Sequence, residues 1–114
     1  MPRDAGAFLD DVVEACDRIA SYSASLSFEQ FSTDRKTVDA VVRNLEVIGE
    51  AVKNLPDDLR SRIPGIEWQR IAGLRDILIH HYFGLDLSLI WDVVQTKVPV
   101  LRERVGEFLK GRQK

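Results

Sequence analysis

The stretch "STDRKTVDAVVRNLEVIGEAVKNLP", residues 32–56, decides the fold class. Val38, Val41, Leu45, Ile48, Val52 and Leu55 recur at steps of three and four, which puts them on one face of a long α-helix. Pro56 ends it, because proline lacks the N–H and clashes with the preceding turn. Gly49 lies inside the pattern, where glycine costs about 1 kcal/mol against alanine. The reading that fits is a second helix packing closely at that point. Asn44, Glu46 and Glu50 share this helix, either as plain solvated residues or as groups supporting a nearby site.

The same periodicity extends outward. Residues 4–21 carry Phe8, Val12, Ala15, Ile19 and Tyr22 at helical spacing. "SASLS", residues 23–27, breaks that pattern, and Ser27 with Gln30 has the spacing of a capping box. "DDLRSRIP", residues 57–64, reads as a short helix, and "GIEWQRIAGLRDILIHHYFG", residues 65–84, as the next long one. Asp86 has the character of an N-cap for a last helix from Leu87 to about Leu109, with a kink expected at Pro99. "KGRQK", residues 110–114, reads as a frayed basic tail. No strand, repeat or low-complexity segment is evident. The expectation is an all-α fold, a single domain over residues 1–114 built as an antiparallel bundle of four to five helices.

Composition sets bounds on function. The 114 residues are 45% hydrophobic and 30% charged, ordinary for a folded globular domain. No apolar run approaches the ~20 residues of a membrane span, and the N-terminus has no signal-peptide stretch. The expectation is a cytoplasmic protein with no membrane partner. Cys16, the sole cysteine, excludes an intramolecular disulfide and reads as an inert thiol. The net charge of −2 is unevenly spread, with residues 1–60 at −5 and residues 61–114 at +3. Any nucleic-acid contact should therefore be local and on the second half.

That half contains "RDILIHHY", residues 75–82, with both histidines of the chain. At about 100° per residue from Arg75, Asp76 falls near 100°, Gln69 near 120°, His80 near 140° and Gly73 near 160°. These four form a polar stripe, while Ile71, Leu74, Leu78 and Tyr82 fall on the core side. Asp76 and His80 are an i,i+4 pair, so the carboxylate can orient the imidazole, and Gly73 leaves a bare spot one turn earlier. Arg75 and His80 do not share a face. A site using both needs a distorted helix end or two apposed protomers. The set suits acid–base work on a phosphodiester, histidine moving protons and arginine gripping phosphate. An arginine and two histidines near a helix end also fit a plain response to the helix dipole. Spacing alone does not decide between them. Adjacent histidines diverge by about 100° on a helix, so no metal site is expected. No cofactor is expected either. Trp68 and Trp91 read as packing residues, and Arg102, Arg104, Lys110, Arg112 and Lys114 as a solvated face.

Arg75, His80 and Tyr82 match the R-x4-H-x-Y signature of the HEPN superfamily, in its HepT-like branch. "DRKTVDAVVRNLEVIGEAVKNLP" (34–56), with its "IGEA" core, resembles that branch's long helix. "IPGIEWQRIAGLRDILIHHYFGLDLSLIWDVVQTKVPVL" (63–101) resembles the segment that follows it. The resemblance implies an all-α homodimer with a composite cleft between protomers. It further implies a metal-independent endoribonuclease leaving 2′,3′-cyclic phosphate ends, the toxin of a toxin–antitoxin pair. The implied partner is a minimal nucleotidyltransferase antitoxin (MntA-like) that transfers AMP onto the motif tyrosine. Carried over, Arg75 and His80 become catalytic and Tyr82 the AMPylation site; the reading of the residues themselves adds Asp76 and His81 as accessory groups, with Asn44, Glu50 and Gly73 as candidates behind them. The position after the arginine is frequently Asn in that branch. Asp76 instead sets a negative charge beside RNA. A rival reading uses the same cleft without cutting: a non-catalytic nucleotide- or substrate-binding helical partner of a nucleotidyltransferase.

Overall fold

The 32–56 pattern forms α3, Arg35–Lys53, in a computed structural model that describes residues 3–80 and 84–112. Asp34 caps it by accepting from the Thr37 N–H, and every residue of the expected apolar stripe is buried, from Val38 to Leu55. Against this central helix pack α1, Ala5–Ser23, and α5, Trp68–His80. Two short helices connect them, α2 at Phe28–Thr33 and α4 at Asp57–Ser61. The chain closes with α6, Leu87–Asp92, a π turn over Val93–Lys97, and α7, Val98–Arg112. The described residues contain no strand, and none of their helices is long and apolar enough to cross a membrane. The expected all-α bundle is what forms.

Local signals explain most of these boundaries. Ser27 and Gln30 make the full capping box: the serine hydroxyl accepts from the Gln30 N–H, and the Gln30 carbonyl accepts from the Ser27 N–H. The Asp86 carboxylate accepts from the Ser88 and Leu89 N–H groups. Ahead of Pro99 the regular α-helical register is interrupted. The helix widens to the π register, Val98 N–H reaching the Val93 carbonyl, while the Thr96 hydroxyl donates to the Asp92 carbonyl at 2.8 Å. Ile90, Val94, Val98, Leu101 and Val105 stay buried across it.

Three expectations need correction. Tyr22 is exposed, and the buried face of α1 runs instead through Leu9, Val12, Cys16, Ile19 and Ser23. Helix α5 begins at Trp68 rather than residue 65; its indole N–H donates to the Arg60 carbonyl at 3.1 Å. The basic tail is shorter than read, because α7 carries Lys110 and Gly111 on to Arg112.

Gly49 does what its place in α3 suggested. A Cβ there would stand 2.5 Å from Arg75 Cβ and 3.3 Å from the Ile71 carbonyl oxygen. No side-chain rotation relieves a contact between two β-carbons. Gly49→Ala gains about 1 kcal/mol of helix propensity but meets an overpacking cost of about 1–3 kcal/mol. The expected outcome is a lower urea midpoint for the variant; a higher one would show that α5 yields without cost.

Candidate functional site

The α3–α5 crossing sets four charged side chains together. Glu50 and Lys53 lie one turn apart on α3, and Arg75 and Asp76 are neighbours on α5. Arg75 Nε sits 2.7 Å from Glu50 Oε2. Asp76 Oδ1 takes the Lys53 ammonium at 3.0 Å and approaches an Arg75 terminal nitrogen at 3.4 Å. These side chains are between 29% and 56% exposed, so water and ligands reach all of them. The hydrogen bond from Lys53 holds the Asp76 carboxyl below its usual range, and the charges of Lys53, Arg75 and His80 add to that.

His80, on the last turn of α5, is oriented by Asp76, but through a different atom from the one the spacing suggested. Its Nδ1 lies 2.8 Å from the Asp76 backbone carbonyl, while the carboxylate is engaged with Lys53 and Arg75. A carbonyl only accepts, so Nδ1 carries the proton and Nε2 of the neutral ring keeps its lone pair. Nε2 can take a proton as a base and return it as an acid. The geometry needs no carboxylate.

Arg75 and His80 line different hollows. Arg75 shares a groove with Glu50, Arg43, Glu46 and Asp11. His80 lines an apolar hollow with Leu74, Ile77, Leu85 and Leu89. Ile79 borders both and stands between them. Around it the surface is unusually apolar: Ile77 is 51% exposed, Ile79 44% and Leu89 52%.

The remaining candidates fall at varying distance from this centre. Glu50 is part of it through Arg75. Asn44 is buried and donates to the Ala40 carbonyl of its own helix, and it lines neither hollow. Gly73 has open space where a side chain would be, in keeping with a bare spot. His81 and Tyr82 lie outside the described residues. The sequence reading missed Lys53: its partner Asp76 is 23 residues away, and near a helix C-terminus a lysine reads as dipole-favourable. Among the described residues no group of three His, Cys, Asp or Glu side chains is placed to hold a metal ion.

Comparison with known proteins identifies the family. Residues 12–108 match the family described as "Ribonuclease HepT-like". "Putative RNase MJ0127" of Methanocaldococcus jannaschii is 47% identical over 111 residues, covering 96% of this chain and 92% of that protein. "Probable ribonuclease HepT" of Thermococcus cleftensis is 42% identical over 113 residues, covering 99% of this chain and all of its own. "Putative RNase TTE0752" of Caldanaerobacter subterraneus is 40% identical over 103 residues, 90% of this chain and 92% of that one. No solved structure matches the chain. The chain belongs to the HepT-like family of the HEPN superfamily.

The Lys53–Asp76 bond makes an electrostatic prediction. A carboxyl with a depressed folded pKa contributes stability above its unfolded value, and loses it as pH falls through the folded value. In a carbon-detected NMR titration, Asp76 should reach its midpoint below the ordinary 3.8 and move back toward it in Lys53→Met. An unmoved midpoint would assign the shift to Arg75 instead.

Proposed function

We propose that this chain is a metal-independent endoribonuclease in which Arg75 grips the scissile phosphate and His80 moves the protons. The observation that carries the reading is the 2.8 Å contact between His80 Nδ1 and the Asp76 carbonyl, which turns Nδ1 inward and leaves Nε2 as the atom that can exchange a proton. Family membership and the names of the relatives support ribonuclease chemistry. In the proposed step His80 removes the 2′-hydroxyl proton and the 2′-oxygen bonds to phosphorus. The bond to the 5′-oxygen breaks, and that oxygen takes the proton that His80 has picked up, leaving 2′,3′-cyclic phosphate and 5′-hydroxyl ends. Arginine's planar fork spreads the developing charge over two hydrogen bonds.

The working unit is a homodimer. Arg75 and His80 face different hollows in one copy, and the exposed Ile77, Ile79 and Leu89 supply an apolar surface for a second. Such a dimer brings one protomer's Arg75 to the other's His80. In the cell the enzyme acts as the toxin of a toxin–antitoxin pair. A minimal nucleotidyltransferase antitoxin silences it by transferring AMP onto Tyr82, the third residue of the R-x4-H-x-Y motif.

Purified protein in excess chelator should cut RNA to cyclic-phosphate ends. His80→Ala should reduce the rate by about 10²–10⁴, the usual worth of general acid–base catalysis. Retained RNA binding with no cutting by the wild type, its Tyr82 shown by mass to be unmodified, would instead indicate a binding subunit. Ile79→Asp should sediment as a monomer and lose cleavage while keeping its helical circular dichroism; an active monomer would refute the composite site.

A further inference from the structure

Two cations converge on one anionic oxygen at this site. Asp76 Oδ1 takes Lys53 Nζ at 3.0 Å and an Arg75 terminal nitrogen at 3.4 Å, while Arg75 is anchored at Nε by Glu50. A carboxylate between an ammonium and a guanidinium occupies the place that a phosphodiester oxygen would take. The bonds holding it are weak, because exposed ion pairs of this kind are screened by water and salt, so an incoming phosphate can displace the carboxylate. Nor does the Lys53–Asp76 bond have to hold the helices together, since Gly49 already seats Arg75 against α3, and Ile71 and Leu74 of α5 pack against the core that includes Leu45 and Ile48.

We infer that Lys53 is a second phosphate-binding residue of the RNA site, held ready beside Arg75 by Asp76 acting as a displaceable internal anion. The inference rests on the ribonuclease reading above and adds a residue from α3 to the Arg75 and His80 of α5. Lysine suits the task as a point charge that reaches either phosphate oxygen, while the arginine fork sets direction.

The experiment compares the two ends of one ion pair. A fluorescent 2′-O-methyl oligoribonucleotide, which lacks the attacking hydroxyl, is titrated with full-length protein over a range of salt concentrations. On single strands each neutralised phosphate contributes about 0.7 to the slope of log K against log salt. Lys53→Met should weaken binding and lower the slope by about that amount, and Lys53→Arg should restore it. Asp76→Asn, which breaks the same bond from the other side, should tighten binding. A mere staple between α3 and α5 predicts the opposite pattern, both variants moving binding in the same direction. That pattern, or an unchanged slope in Lys53→Met, overturns the inference while leaving the nuclease reading in place. Failure of every variant and of the wild type to bind RNA overturns both.

Discussion

Contact between Gly49 and Arg75 is the constraint from which the site follows. With a β-carbon to β-carbon distance of 2.5 Å for any residue larger than glycine, α3 and α5 meet at this crossing only because one of them has no side chain. The glycine weakens α3 locally by about 1 kcal/mol, and the burial of Val38 through Leu55 offsets it many times over at about 1.5–3 kcal/mol for each large aliphatic side chain. What the helix gains is position. Arg75 is pressed to within reach of the residue that follows the glycine, Glu50, and Asp76 to within reach of Lys53 one turn on. The "IGEA" segment is thus one device: its isoleucine is core, its glycine sets the approach, and its glutamate fixes the arginine's direction.

How much of this was legible in the sequence depends on distance along the chain. Signals confined to a few residues were readable: the Ser27–Gln30 box, the Asp86 cap, the stop at Pro56 and the disturbance at Pro99. The apolar stripe of α3 was readable because one dominant period runs through a helix buried along its length. Tyr22 was misplaced because a five-residue stripe is also compatible with a face rotated by one position, and packing chose Leu9, Cys16 and Ser23. Lys53 was invisible for a different reason. Its role depends on a crossing between two helices, and no short-range spacing encodes a crossing.

Asp76 illustrates the limit of helical geometry as a guide. The i,i+4 spacing correctly joined it to His80, yet the imidazole bonds the carbonyl, which every residue possesses, and the carboxylate turns to the cations. Orientation of His80 therefore does not depend on the identity of residue 76. The acid's chemical individuality is expressed only toward Lys53 and Arg75. With Glu50 it makes two anions against two cations, an electrically balanced cluster where a bare arginine and lysine would attract any anion. Such balance favours a ligand that can engage both cations at once, as a phosphodiester with two free oxygens does, over a diffuse negative charge.

The angular relation of Arg75 and His80 then acquires a consequence. Five residues on one helix separate two groups by about 140°, and here Ile79 rises between the hollows they line. Within one chain Arg75 and His80 therefore line separate hollows, with Ile79 at the border of both. Either the helix end deforms, or a second copy supplies the missing half. Deformation would have to break the bond between His80 and the Asp76 carbonyl, the bond that defines the useful tautomer. Covering Ile79 with a second copy keeps that bond and buries exposed apolar surface at the same time, at about 25 cal/mol per Å². The apolar residues interleaved with the polar motif are then as necessary to the proposed chemistry as the arginine and histidine, because they bring the two halves of the site together.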